Sequence, residues 1–271
     1  MMDHLETTLP LWQNVRMEEF AMQTETRRVR FGDVDRSDRL TFSAAFGFFQ
    51  DVAIDHAEAL GVGREAMAGS GRAWILARMS VRVDRRPAFT ETLRVRSWPR
   101  ALDRLFTLRD FDILDENGDR VIRARSGWLV IDPEKRRPLR PDPVMEGIPL
   151  GTVDALPFPP PQLAPQPEMT ELWRHRVGYD DLDFNGHVNN ISYIRWTENA
   201  LDARLPGGLR LVETGRLDVN YMSEVLPGEA VGIFLRELPS EGAGPAFAVE
   251  GRKDDGQPAF RAEFRSPRVP S

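Results

Sequence analysis

The chain has 271 residues, 36 of them basic and 42 acidic, with a net charge of −6 and no cysteine. Disulfides, a zinc–thiolate centre and a cysteine nucleophile are therefore excluded, and the acidic balance argues mildly against a nucleic-acid binder. Hydrophobic residues make up 41% of the sequence, ample for one large or two ordinary domains, and no run approaches the ~20 apolar residues of a membrane span.

Residues 1–23 carry Asp3, Glu6, Glu18 and Glu19 and no apolar run. They read as neither a secretory signal nor an acidic-poor transit peptide, so a soluble cytoplasmic protein is expected. Residues 24–35 look extended, with Val29 and Phe31 alternating among arginines. Thr41 or Ser43 then caps an amphipathic helix reaching about Leu60, with a stripe that includes Ala45, Phe49, Val52 and His56 and with Gly61 as its stop. Gly61-Val62-Gly63-Arg64-Glu65-Ala66 formally matches a dinucleotide fingerprint, but a helix precedes it where a strand should, so it is read as a helix cap with a turn.

Alternating apolar and charged residues predict strands over 73–84, 91–99, 104–114 and 119–132, with Asn117-Gly118 as a hairpin turn. Residues 141–167 hold nine prolines, a composition that neither feeds a sheet regularly nor holds a helix, and are expected to form an extended linker. After it the pattern restarts: an extended stretch over 171–180, a polar motif running into a helix, then strands over 216–222, 229–238, 246–253 and 258–264, with Asp255-Gly256 as a turn.

The polar motif is Asp181-Leu182-Asp183-Phe184-Asn185-Gly186-His187-Val188-Asn189-Asn190. The helix after it has Val188, Ile191, Ile194 and Leu201 on one stripe, and Asn189 or Asn190 is its candidate N-cap. Asp183, Asn185 and His187 then lie just ahead of a helix N-terminus, where free N–H groups favour developing negative charge. Taken singly, Asp, Asn and Gly are ordinary turn residues. Combined with His187 they offer an oxyanion stabiliser beside a base, the requirement of acyl transfer.

The restart is an internal repeat. An offset of 148 places Asp33 on Asp181, Asp35 on Asp183 and Leu40 on Val188, and an offset of 138 places Arg78-Met79-Ser80-Val81 on Arg216-Leu217-Asp218-Val219. Asn185, His187 and Glu224 are matched by Ser37, Arg39 and Arg86. Only the second copy keeps an amide, an imidazole and a carboxylate, so one copy is expected to be chemically live and the other devoted to structure or substrate binding.

The motif at 181–190 is similar, almost position for position, to the signature of the acyl-acyl-carrier-protein thioesterases. His56-Ala57-Glu58-Ala59-Leu60-Gly61, Trp74-Ile75-Leu76-Ala77-Arg78, Asp103-Arg104-Leu105-Phe106 and Tyr221-Met222-Ser223-Glu224 also resemble that family, and the resemblance runs from about Thr24 to Phe264. It implies an α+β tandem (double) hotdog, two antiparallel sheets each wrapping a long helix: a first hotdog over 1–140, a proline-rich linker over 141–168, and a second hotdog over 169–271 carrying the catalytic motif. It further implies hydrolysis of the thioester joining a fatty acyl chain to its carrier protein, with no cofactor or metal. Where some members carry Cys after the glutamate, this chain has Val225.

With no cysteine and no Gly-x-Ser-x-Gly elbow, the expected catalytic set is Asp183, Asn185, His187 and Glu224. His187 and Glu224 polarise a water, Asn185 binds the thioester carbonyl, and Asp183 either orients the site or attacks the thioester itself. The aromatics Phe46, Phe48, Phe49, Trp74 and Trp98 are candidates for an acyl tunnel, though core is the simpler role for most. Acyl carrier proteins are generally acidic, so Arg82, Arg85 and Arg86, or Lys135-Arg136-Arg137 with Arg140, are candidate docking clusters, against a background of ordinary solvated charge. The chain is expected to act as a monomer or homodimer without contacting a membrane. Competing readings are a thioesterase acting on acyl-coenzyme A with the same site, a hotdog dehydratase, and a non-catalytic acyl-binding protein.

Overall fold

The computed structural model describes residues 21–205, 207–240 and 244–267. Residues 1–20, most of the segment read above for targeting signals, lie outside them. Strands β1 (Gln23–Arg28), β2 (Ala73–Val83), β3 (Thr92–Asp103), β4 (Phe106–Leu114), β5 (Arg120–Asp132) and β6 (Arg137–Leu139) belong to the first half. Strands β7 (Thr170–Arg176), β8 (Gly215–Tyr221), β9 (Ala230–Glu237), β10 (Ala246–Lys253) and β11 (Pro258–Arg265) belong to the second. The helices are α1 (Phe42–Ala59), α2 (Arg64–Gly69), α3 (Asp142–Met145) and α4 (Asn190–Asp202).

The strands run in the order β1-β3-β4-β5-β2-β8-β11-β10-β9-β7, with β6 added beside β5. The two halves of that order mirror one another, as the repeat requires. Each half wraps its helix in antiparallel strands, the tandem hotdog arrangement that the resemblance implies. The two half-sheets are joined edge to edge by β2 and β8 into one sheet. In that seam Ser80 faces Asp218, its counterpart in the repeat, so the pair marks a pseudo-twofold axis, and the Ser80 hydroxyl donates to Asp218 at 2.5 Å. Burial pushes the Asp218 carboxyl up, against the hydrogen bond from Ser80 and the charge of Arg216.

Both long helices are capped as their sequences predict. Thr41 accepts from the Ala44 N–H and Asn189 from the Ile191 N–H. A second cap crosses between the halves, because Glu198 on α4 accepts from the Phe42 N–H at 2.6 Å, at the start of α1. Gly47 faces Ile191 between the two helices, where an added Cβ would make an ordinary contact at 3.7 Å. Gly61, at φ 71°, ends α1, and the stretch read as a cap with a turn continues into α2.

The proline-rich segment does more than link. It holds the single turn α3, which the composition argued against; Pro141 precedes that turn and Pro143 falls in its first positions, where no N–H is needed. The rest is strapped across the outer face of the sheet. The Trp98 indole donates to the Val153 carbonyl at 2.9 Å, Asp110 accepts from the Ala155 N–H at 2.8 Å, and Asn220 accepts from the Leu163 N–H at 2.8 Å. Leu156 and Leu163 are buried beneath it. Trp98 is therefore spent under the strap, away from any tunnel, and Phe46, Phe48 and Phe49 pack in the core.

The turns ahead of the two long helices share one hydrogen-bond pattern. Asp35 N–H donates to the Arg39 carbonyl and Asp183 N–H to the His187 carbonyl, each at 2.9 Å. Asp38 and Gly186 occupy the same left-handed position, at φ 58° and 78°; Asp tolerates it through local hydrogen bonding and Gly without steric cost. In the first copy Arg86, only 2% exposed, pairs with Asp35 at 2.5 Å and also donates to the Leu40 carbonyl at 2.8 Å. Although burial raises the Asp35 carboxyl, hydrogen bonds from Ser37 and Arg86 together with the Arg86 charge outweigh it and hold the group below its ordinary value.

Removing one member of such a pair strands the other without water. Asp35→Ala is expected to cost about 3 kcal/mol in chemical denaturation; a loss under about 1 kcal/mol would contradict the assignment. Because the folded carboxyl is depressed, its contribution is complete above the unfolded value of about 3.9 and is lost as pH falls through the folded one. The Asp35→Ala penalty, measured across acid pH, should shrink in that direction.

Candidate active site

The turn at 181–189 is anchored from β7. His175 Nε2 lies 2.7 Å from the Asp181 carboxylate, which also accepts from the Gly178 N–H at 2.9 Å, and the His175 ring packs on Trp196 with centroids 4.6 Å apart. His175, inside the stretch read from sequence only as extended, positions the motif. Asn189 N–H donates to the Asp181 carbonyl at 2.8 Å, and Val188 N–H donates to the Val225 carbonyl at 3.0 Å. That last bond ties the motif to the segment after β8.

His187 and Glu224 meet through this bond, although 37 positions separate them in sequence. His187 Nε2 lies 4.0 Å from Glu224 Oε2, and the two side chains are 37% and 45% exposed. The separation exceeds a direct hydrogen bond and suits a water held between them. Val225, at the position where some relatives of the motif have Cys, is 0% exposed. Its side chain is core, and its backbone carbonyl does the positioning.

Asp183 and Asn185 form a tight pair on the same turn. Asp183 Oδ1 accepts from the Asn185 N–H at 2.8 Å, and Oδ2 lies 3.4 Å from the Asn185 amide nitrogen. Both carboxylate oxygens are thus engaged locally. The Ile191 N–H expected to help an oxyanion is instead taken by the Asn189 cap at 2.9 Å.

Glu224 has a second partner, missed from sequence. Arg136, in the turn between β5 and β6, reaches across from the first half to Glu224 Oε2 at 3.2 Å. Lys253 also donates to the Glu224 backbone carbonyl at 3.2 Å. The other candidate docking cluster is spent: Arg82 pairs with Asp84, Arg85 with Glu91 and Asp115, and Arg86 with Asp35.

Asp183, Asn185, His187 and Glu224 all face one cavity of about 820 Å³, within the range of small-molecule sites. Much of its wall belongs to the first half: Ala53, Ile54 and Ala57 of α1, Met67 of α2, Trp74 and Leu76 of β2, and Trp128 of β5. The polar motif therefore sits in one copy and much of the apolar wall in the other. Trp74 alone of the candidate aromatics lines this cavity, its indole fixed on the Val62 carbonyl at 2.9 Å.

Tyr193 and Tyr221 also line the cavity, their rings 5.9 Å apart. Burial, and then the charges of Glu224, Glu229 and Asp183, push the Tyr193 phenol well above its ordinary value. Burial does the same to Tyr221, whose hydroxyl is buried with no hydrogen-bond partner among the described residues. Both phenols stay neutral donors. Their register explains why: Tyr193 faces inward from α4, and Tyr221 ends β8 beside the Glu224 segment, a placement invisible without the β2–β8 pairing.

The sequence matches the model of the acyl-ACP thioesterase N-terminal domain over residues 21–147 and that of the C-terminal domain over residues 165–265. A chloroplastic acyl-[acyl-carrier-protein] hydrolase of Cuphea viscosissima is 26% identical over 246 residues, covering 84% of this chain and 58% of its own length. A palmitoyl-acyl carrier protein thioesterase of Cuphea hookeriana is 27% identical, covering 72% of this chain and 50% of its own. The chain thus spans about half the length of these curated relatives. An acyl-ACP thioesterase from Bacteroides thetaiotaomicron superposes with a TM-score of 0.78 at 27% identity, covering 92% of this chain and 98% of that one. The 12:0-ACP thioesterase from Umbellularia californica shares the fold, with a TM-score of 0.76 at 21% identity and coverage of 90% and 96%. With both halves matched in order along the chain, this protein belongs to the acyl-ACP thioesterase family.

Proposed function

We propose that the protein hydrolyses the thioester of fatty acyl-acyl carrier protein, releasing free fatty acid and the carrier thiol. The observation that carries this reading is the convergence of His187 and Glu224 on one end of a largely apolar cavity built by the other half. The acyl chain lies in the cavity and the thioester carbonyl stands beside Asn185. A water between His187 and Glu224 attacks the carbonyl carbon as His187 takes its proton, with the Glu224 carboxylate stabilising the imidazolium. The tetrahedral oxyanion is met by the Asn185 amide. When it collapses the carbon–sulfur bond breaks, and His187 returns the proton to the departing thiolate.

For Asp183 the geometry favours orientation over direct attack. Both of its oxygens accept hydrogen bonds from Asn185, which lowers their nucleophilicity and fixes the amide that faces the substrate. Arg136 neutralises part of the Glu224 charge at the cavity mouth. Beside it, Arg137 and Arg140, with Lys135 on an exposed pair to Asp132 at 3.4 Å, form the cluster we assign to carrier docking because it flanks Glu224 at the cavity mouth. Arg82, Arg85 and Arg86, by contrast, are all engaged in ion pairs. No helix among the described residues is long and apolar enough to cross a membrane.

Thiol release from acyl-carrier protein tests the chemistry. His187→Ala and Glu224→Gln should each lower kcat by about 10²–10⁴-fold while leaving acyl binding in place. Retained turnover in both variants would remove the pair from the mechanism. Turnover absent from the unaltered protein as well, with acyl binding kept, would favour a binding protein. A separate charge reversal, Lys135→Glu with Arg137→Glu, should raise KM for the carrier-linked ester on the order of tenfold at low salt. It should spare the coenzyme A ester; equal effects on both esters would point to an enzyme that uses no protein docking.

A further inference from the structure

The cavity changes character at its far end. Along β4 its wall includes Thr107 and Arg109, yet the next residue on that face, Phe111, is buried against Phe49 with ring centroids 5.0 Å apart and lies outside the wall. The same break occurs on β3, where Pro99 lines the cavity and Ser97 is packed beyond it. Arg109 is therefore the last residue of the wall before solid core begins.

A guanidinium at that place is unusual. Among the described residues no Asp or Glu lies within ion-pair distance of it; its polar contacts are Ser97 Oγ at 2.9 Å and His56 Nδ1 at 3.1 Å. Asp110, its chain neighbour, points to the opposite face and pairs with Arg125. Burial lowers the Arg109 guanidinium to about 10, which leaves it cationic at neutral pH. The Thr107 hydroxyl next to it is buried with no hydrogen-bond partner among the described residues. Apart from the polar motif and exposed residues such as Glu58 and Arg64, the wall is mainly aliphatic and aromatic, and here it ends on a cation and a free hydroxyl.

The sheet register sets the reach. Arg109 pairs with Ser126, Ser126 with Met79 and Met79 with Val219. Arg109 thus lies three interstrand spacings from β8, about 14 Å across the sheet at about 4.8 Å each. Tyr221, on the same face of β8, marks the catalytic end.

We infer that Arg109, with the Thr107 hydroxyl, is a polar stop that closes the acyl cavity and restricts the substrate to medium-chain acyl groups with an apolar methyl end. A chain long enough to press methylenes onto the guanidinium strips its remaining hydration and returns no hydrogen bond. Each added methylene then opposes binding, where in an aliphatic pocket it would favour it. His56 and Ser97 hold the guanidinium in place and are positioning residues. The inference rests on the proposed hydrolase reading for its substrate, while the stop itself is read from the cavity wall.

The test compares chain-length profiles. Thiol release from a saturated acyl-carrier-protein series gives the cut-off of the unaltered protein, and calorimetric binding of the matching free fatty acids gives it again without turnover. Arg109→Met should move the cut-off to longer chains, raising relative kcat/KM for the first excluded chain about tenfold or more. Thr107→Val, isosteric and with no hydrogen bond to lose, should move it the same way by less. Arg109→Lys, which keeps a cation on a flexible stem, should hold it. An unchanged cut-off in the Met and Val variants overturns the inference, as does a Lys variant that shifts as far as Met, since packing alone would then explain the limit. Faster turnover of an ω-carboxyl chain than of the plain chain of equal length would also overturn it, making Arg109 a ligand for anionic chain ends. Should the unaltered protein hydrolyse no member of the series, the hydrolase reading fails, and the fatty-acid binding profile alone decides the stop. If Arg109→Met does not fold, the Val and Lys variants decide in the same directions.

Discussion

The pairing of β2 with β8 is the constraint on which the rest of the molecule depends. It fuses two half-sheets that would otherwise each present an open strand edge, and it sets the register that relates the halves. Ser80 and Asp218 meet at its centre, burying a polar pair that has to be satisfied locally. A one-residue slip there would turn Met79 and Val219 away from the core and misalign the two halves that line the cavity. The cross-cap from Glu198 to the start of α1 then locks the helices to the same relation.

Duplication followed by division of labour explains the asymmetry. Both copies keep the aspartate turn, the left-handed residue and the helix cap, since these specify how the chain enters its helix. In the second copy the position after β8 carries Glu224, half-exposed and facing His187. In the first the equivalent Arg86 is driven inward and neutralised by Asp35. One copy has turned its polar set into a structural ion pair and given its helix and sheet to the cavity. The other keeps the polar groups that the proposed hydrolysis uses, and the first supplies much of the cavity's apolar wall.

Much of this was legible in the sequence, for identifiable reasons. The repeat offsets found the two matching halves, because equal spacing of apolar residues in both halves reflects one core drawn twice. Asp183, Asn185 and His187 were visible as a cluster since they share one turn, and Glu224 was visible through its mismatch with Arg86 and the family resemblance over 221–224. Contacts between distant segments were not legible. Arg136 lies 88 positions from Glu224, and nothing local to either residue announces the pair. The role of His175 depends on the buried Asp181 beside it. The proline-rich stretch was read as a spacer because composition reports what a segment cannot donate; it does not report the side chains of Trp98, Asp110 and Asn220 waiting to meet its backbone. Arg109 was hidden for a related reason, since an arginine in an alternating strand reads as the solvated face until the sheet shows which side it occupies.

The most direct test of the account is a crystal structure with a non-hydrolysable acyl-pantetheine analogue whose thioester is replaced by a methylene ketone. The account predicts the ketone oxygen beside Asn185, the alkyl chain running between α1 and the inner face of the first half toward Arg109, and an ordered water between His187 and Glu224. Density for the ketone beside Asp35 and Arg86, or an alkyl chain lodged outside this cavity, would contradict the division of labour between the two copies.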